Sequence, residues 1–278
     1  MILINGHRDG RIAANDRGVA YGDGVFRTMP IRQGVIPFWA RQWDALERDC
    51  ATLHMSRPDL IQLQSELRQC MAGIVEGVAK ITLTRGEGPR GYRIDPTAPM
   101  TRIVQAHAGF PYPQSLAEHG VALTRCVTPV TRQPMLAGAK TLNRLDSVLA
   151  RREWDDPAVF DGLMSDGEGA WLETTMCSLF VVVAGAVHVP DLSCGGVSGV
   201  SRELVLTCSQ RLSIPVIVSR IDDALLTRAQ AVFVANSLAG VLPVVRIAEL
   251  AYSDLRLIRQ IQAEMTILSA LDTSLSSI

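Results

Sequence analysis

Four short apolar stretches, at 158–163, 170–175, 178–183 and 186–190, follow one another, with Gly or Asp in the breaks at 164–169 and 184–185. Stretches this short, punctuated this way, read as antiparallel strands rather than helices. A sheet must bury at least one face, so the rest of the chain has to supply cover for it. Helical spacing is present to do so. Trp39, Trp43, Leu46, Cys50 and Leu53 recur at three- and four-residue steps and predict a helix over 39–54. Pro58 opens a second helix with Leu60, Leu63, Leu67 and Met71 on its apolar side. Further helices are expected over 142–154, 201–212 and 252–270.

Val78 to Thr84 alternates as a half-buried strand should, with 101–108 as its neighbour. Strands are also expected at 2–4, 120–127, 214–219 and 231–235. The segment from Val19 to Phe38, interrupted by Gly22-Asp23-Gly24 and Gln33-Gly34, reads as strands joined by tight turns. Together these predict an α+β chain of two domains. The Pro-rich 110–115 segment is the expected linker between a smaller α/β domain, 1–109, and a larger mixed-sheet domain, 116–278. With 278 residues, 47% of them hydrophobic, the chain has enough apolar material for two cores.

Charge excludes some partners. Lys and Arg total 27 against 28 Asp and Glu, for a formal net charge of -1. Such balance argues against a surface built for nucleic acid or anionic membrane. The longest apolar runs are too short to span a bilayer, and the N-terminus lacks a signal-peptide pattern. Six scattered cysteines form no CxxC pair and no metal-ligand spacing. They suit a reducing, cytoplasmic setting without a bound metal.

Only Lys80 and Lys140 are lysines; the other 25 basic residues are arginines. Any chemistry that needs a lysine amine therefore has two candidates. Lys140 lies in a loop before a helix whose Leu145, Val148 and Leu149 are expected to be buried and to hold it rigidly. On these grounds alone it can equally be a solvent-facing lysine at a helix start. Lys80 shares a strand face with Thr82 and Thr84, which suits a structural or solvated role. The Gly-rich segment 195–201 runs into a helix, where backbone N–H groups can cradle a phosphate, although Ser198 or Ser201 could simply cap that helix. Arg90, in Gly-Pro-Arg-Gly-Tyr, is a candidate fork for a substrate carboxylate or a solvated loop residue, and Tyr92 is its neighbour in the same loop.

Five blocks in order, DRGVAYGDGVFRT, TRGEGPRGY, GAKTLNRLDSVLARREW, DGLMSDGEGAWLETTMCSLFVV and CGGVSGVSRELVL, resemble the fold-type-IV pyridoxal-phosphate enzymes. The resemblance implies pyridoxal 5'-phosphate as cofactor, with Lys140 as the lysine that carries it and moves the substrate proton. It implies that Glu173 pairs with the pyridine nitrogen, where a carboxylate keeps that nitrogen protonated. It places Ser198, Gly199, Val200, Ser201 and Ser237 on the phosphate side, Arg90 and Tyr92 on the substrate side, and Cys177 in packing. Homodimers are the rule in the family, so a homodimer acting on a small molecule is expected. The sequence is most similar to the members that convert 4-amino-4-deoxychorismate to 4-aminobenzoate and pyruvate in folate synthesis. A branched-chain or D-amino-acid aminotransferase shares the same cofactor residues, and a non-catalytic protein on a decayed enzyme fold stays open as well. One departure stands out. The family's phosphate-binding arginine before a leucine falls on Ala45 here, which leaves Arg41 as the favoured substitute and Arg48 as the other.

Overall fold

The computed structural model describes residues 1–272. The fold divides into two compact units, one holding Met1–Pro111 and Ala139–Asn143, the other Tyr112–Gly138 and Arg144–Leu271. Among the described residues no helix is long and apolar enough to cross a membrane.

The first unit contains strands β1 (Ile2–Ile4), β2 (Gly24–Ile31), β3 (Gly77–Thr84) and β4 (Thr101–Ala108), with helices α1 (Arg17–Tyr21), α2 (Trp39–Thr52) and α3 (Leu60–Met71). The strands form an antiparallel sheet in the order β1-β4-β3-β2. Alternation along β2 sends Val25, Arg27, Met29 and Ile31 to a buried face. There the apolar members meet Trp43 and Leu46 of α2 and Leu63 and Leu67 of α3. Phe26 and Thr28 point the other way and are only half-buried. Val19 to Tyr21, expected as strand, instead lie in the one-turn helix α1. The Asp16 carboxylate caps its start by accepting from the Gly18 N–H at 2.7 Å, and Gly22, at φ 67°, closes it in the left-handed region. Residues 35–38 form no strand; only an isolated bridge, Arg32 to Val35, survives of that expectation.

The second unit contains β5 (Val121–Arg125), β6 (Val159–Ser165), β7 (Trp171–Thr174), β8 (Ser178–Val183), β9 (Ala186–Pro190), β10 (Val216–Ser219), β11 (Ala231–Asn236), β12 (Gly240–Ile247) and β13 (Leu250–Ala251). Its helices are α4 (Ser115–His119), α5 (Leu145–Arg151), α6 (Val200–Arg211), α7 (Asp223–Arg228) and α8 (Arg256–Leu271). The strand order is β10-β9-β8-β11-β12-β5-β6-β7, and β7 also pairs with β8. That last pairing closes β8, β11, β12, β5, β6 and β7 into a ring, from which β9 and β10 extend. Strand β8 serves two cores by alternation. Leu179 and Val181 pack with Leu123, Val232 and Val244, while Phe180 and Val182 pack with Phe233, Val205 of α6 and Ile258 of α8. Phe180 stacks on Phe233 with centroids 4.7 Å apart.

Two expectations change here. Strand β12 was not foreseen, because Pro243 interrupts its apolar run; it nevertheless pairs on both sides, with β11 and β5. Helix α5 begins at Leu145 rather than 142, and the three side chains expected to bury it do not. Leu145, Val148 and Leu149 are 75%, 55% and 51% exposed, and α5 is instead buried through Asp146 and Ala150.

Candidate active site

In the first unit, Ala139–Asn143 adds to the free edge of β2. The Phe26 N–H donates to the Lys140 carbonyl at 3.1 Å, the Leu142 N–H to the Gly24 carbonyl at 2.9 Å, and Val25 bridges Thr141. Sheet pairing, not burial of α5, therefore makes the support of Lys140 rigid. The side chain is half-buried, with Nζ 4.5 Å from the centroid of the Phe26 ring. An ammonium over an aromatic face is attracted by the ring quadrupole.

Lys80 shares that neighbour. Strand β3 directs it to the half-buried face of the sheet, and its Nζ is 5.0 Å from the Phe26 centroid. Both lysines of the chain thus flank one ring, and for Lys80 this contact accords with the structural role expected of it. Sequence reading missed Phe26, because a single aromatic residue in a strand carries no signal until the register is known.

Asp23 anchors the loop that carries Arg90 and Tyr92. Arg17 and Arg85 each donate through Nε to Asp23 at 2.8 Å, and Arg17 also donates to the Gly91 carbonyl at 3.1 Å. Burial works against ionisation of Asp23, but hydrogen bonds from Arg85 and Arg17, with their charges, outweigh it and hold the carboxyl below the usual carboxylate range. The Tyr21 hydroxyl accepts from the Gly91 N–H at 3.1 Å, and its ring lies 5.4 Å from that of Tyr92. Arg90 and Tyr92 themselves project into solvent. On α2, Ala45 is fully buried, Arg41 half-buried and Arg48 exposed. The guanidinium that reaches the Ala45 carbonyl, at 3.0 Å, belongs to neither of them but to Arg27 of β2.

In the second unit, Glu173 is buried on β7, and its Oε2 accepts from the Val197 N–H at 2.8 Å. Gly196, at φ 81°, passes so close that an added Cβ would stand 3.3 Å from that oxygen and 2.8 Å from Leu192 Cδ2. Glycine is required there on both counts. Gly138 pairs with the same segment, its N–H donating to the Gly196 carbonyl at 3.0 Å and its carbonyl accepting from the Ser198 N–H at 2.9 Å. Gly199 is the N-cap of α6, with no side-chain cap bond, and Val200 and Ser201 are buried in its first turn. Backbone N–H groups of that turn have no partner within the helix and suit an anion. Ser237 is half-buried in the turn from β11 to β12. The unit thus brings Glu173 together with the 196–201 segment.

Asp161 of β6, which sequence reading did not single out, organises the turn after Glu173. It is fully buried and accepts from the hydroxyls of Thr174 and Thr175 and from the N–H groups of Gly162 and Met176. Burial pushes its carboxyl above the usual range despite these donors. Cys177 is buried in the adjoining core and receives a hydrogen bond from Asn236 at 3.2 Å.

A ring of strands with a helix-covered extension, a sheet-mounted lysine and a carboxylate beside a glycine-lined helix start define the two-domain α+β scaffold of the fold-type-IV enzymes. Residues 24–247 match the amino-transferase class IV family, and the chain belongs to it. It is 33% identical over 252 residues to the aminodeoxychorismate lyase of Vibrio harveyi, covering 88% of this chain and 90% of that protein. It superposes with a TM-score of 0.91 on 4-amino-4-deoxychorismate lyase from Pseudomonas aeruginosa, at 35% identity over 96% of this chain and 98% of that one. The PLP-bound form of a hypothetical aminotransferase from Mycobacterium tuberculosis shares the fold, with a TM-score of 0.80 at 16% identity, covering 99% of each chain.

Proposed function

We propose that the protein is a pyridoxal-phosphate enzyme that converts 4-amino-4-deoxychorismate to 4-aminobenzoate and pyruvate. The presentation of Lys140 carries the reading: its backbone is pinned to the edge of β2 by Phe26, and its amine lies over the Phe26 ring. The residues present fit the cofactor. Glu173 offers to a ring N–H a buried carboxylate that the Val197 N–H holds in place. The start of α6 supplies N–H donors for a phosphate, with Ser198, Ser201 and Ser237 as hydroxyl donors; Arg41 is the further cation assigned to it. Similarity to the two lyases above supports the choice of reaction over that of an aminotransferase.

When bound, pyridoxal phosphate supplies an aldehyde for covalent attachment and a sink for negative charge beside the substrate amine. Lys140 provides the attaching amine, and the same Nζ takes the proton from the substrate carbon that bears the amino group. Glu173 keeps a proton on the ring nitrogen and so favours uptake of that charge. Arg90 grips a substrate carboxylate as a fork, with Tyr92 beside it. The carbon–oxygen bond beta to the amine then breaks, its electrons leaving on the enol oxygen of pyruvate as the other product becomes aromatic. A homodimer is part of the proposal: the exposed apolar side of α5, which follows the Lys140 segment directly, is the face for a second copy.

Addition of pyridoxal phosphate to wild type and to Lys140→Ala and Lys80→Ala, followed by borohydride and peptide mapping, tests the site. Attachment at Lys140, lost only in Lys140→Ala, is expected; trapping on Lys80 would refute the assignment. Pyruvate released from 4-amino-4-deoxychorismate without a keto acid is expected, whereas strict dependence on a keto-acid acceptor would make the protein an aminotransferase.

A further inference from the structure

The loop that leaves β3 as Arg85-Gly-Glu-Gly-Pro-Arg-Gly-Tyr-Arg93 is folded around a side chain from another segment. That side chain is Arg17, only 6% exposed. Its Nη1 donates to the Gly91 and Arg93 carbonyls at 3.1 and 3.4 Å, and its Nε to Asp23 Oδ2 at 2.8 Å. Its backbone N–H donates to the Gly86 carbonyl at 2.8 Å. Gly88 lies against the aliphatic stem, where an added Cβ would stand 2.9 Å from Arg17 Cδ and 3.2 Å from Cγ. Arg17 thus touches the loop on both sides of Arg90.

Neutralising Asp23 does not require Arg17. Arg85 already grips that carboxylate with a fork, Nε to Oδ2 at 2.8 Å and Nη2 to Oδ1 at 2.9 Å. Arg85 is itself tied to the Leu53 and His54 carbonyls, just past the end of α2, at 2.6 and 3.1 Å. What Arg17 adds is the continuation from this anchor to the loop. We infer that Arg17 is a positioning residue for Arg90: it fixes the backbone before and after that residue, so that the Arg90 guanidinium meets a carboxylate from a loop already ordered. Order installed in advance does not have to be supplied by the ligand, and affinity gains accordingly. This inference rests on Arg90 being the residue that grips the substrate carboxylate.

Kinetics with 4-amino-4-deoxychorismate on the cofactor-loaded enzyme, tryptic cleavage of the loop and urea unfolding are measured for Arg17→Gln, Gly88→Ala, Arg90→Ala and the Arg17→Gln/Arg90→Ala double variant. Arg17→Gln removes the arm to the loop and leaves Asp23 on Arg85. Gly88→Ala keeps every charge but pushes the loop off the Arg17 stem, and it carries the test if Arg17→Gln does not fold. In both, KM is expected to rise about 10-fold with kcat little changed, the mark of binding lost equally from ground and transition states. Cleavage after Arg93 should become about 10-fold faster, the equivalent of one charge-assisted hydrogen bond at about 1.4 kcal/mol per tenfold. In the Arg90→Ala background, adding Arg17→Gln should leave KM where Arg90→Ala has put it while still speeding that cleavage. A residue that served stability alone would have the same effect in either background. Wild-type KM in both Arg17→Gln and Gly88→Ala would overturn the inference, and so would additive KM effects in the double variant. If Arg90→Ala keeps the wild-type KM while Arg17→Gln speeds cleavage, the loop contact stands, but the carboxylate reading of Arg90 falls and the positioning role with it.

Discussion

Replacing Asp161 by alanine tests how far the Glu173 strand depends on a group that never touches the substrate. The substitution removes the acceptor for two hydroxyls and two N–H groups. The losses are unequal. Thr174 can turn its hydroxyl to the Cys177 carbonyl, 3.3 Å away, and Thr175 and Met176 lie near enough to the surface to find water. Gly162 is buried, so its N–H is stranded at about 1–3 kcal/mol. The net worth of the Thr175 and Met176 bonds adds about 1 kcal/mol each, while release of a costly buried charge returns part of the sum. We expect a loss of about 2–4 kcal/mol, read as a lower urea midpoint at unchanged slope. Asp161→Asn, which keeps one acceptor, should lose about half as much. At temperatures where both variants are folded, cofactor affinity should drop in the same order, because the turn sets the end of β7 beside Glu173. A loss below about 1 kcal/mol for Asp161→Ala would mean that water replaces the carboxylate and that Asp161 does not hold the turn.

Three other outcomes are expected. Arg90→Lys keeps the charge but loses the fork, so KM should rise by about 10-fold or more with cofactor loading unchanged; equal kinetics would return Arg90 to the solvated loop. Asp23 has a folded pKa below its ordinary 3.8, so its stabilisation is present above that pH and is lost as the pH falls through the lower folded value. Asp23→Asn should therefore cost about 3 kcal/mol at neutral pH and flatten the acid limb of the stability curve below pH 4, and an unchanged acid limb would contradict the ion-pair account. Val148→Arg with Leu149→Arg places charge on the exposed side of α5 and should convert a dimer to monomers in light scattering; an unaltered mass would remove α5 from the interface.

Much of the frame was legible from spacing. Trp39 to Leu53 and Leu60 to Met71 gave α2 and α3 because one apolar face per helix is a local signal, and alternation gave β3. The same periodicity misled at α5. A row of Leu145, Val148 and Leu149 tells that a face is apolar, not whether this chain covers it. Val19 to Tyr21 were read as strand from their apolar character; the cap at Asp16 and the closure at Gly22 were the better guide. Lys140, Glu173 and the 195–201 segment were singled out through the resemblance carried by their neighbours in sequence. Arg27, Asp49 and Asp161 were not, since a lone charged residue in an apolar element acquires its role only from partners far along the chain. Asp49 depends on residue 27, and Asp161 on 174 and 175.

The strand that carries Lys140 has a further consequence for synthesis. The β2 edge of the first unit is covered only by Ala139–Asn143, which the ribosome makes after residues 112–138 of the second. Until then β2 is an open edge, its Gly24 carbonyl and Phe26 N–H awaiting partners that have yet to emerge. A nascent chain stalled before residue 139 would therefore present a ready template for mispairing. The segment that covers the β2 edge is also the one that carries Lys140, so the protein cannot finish that edge without installing its lysine.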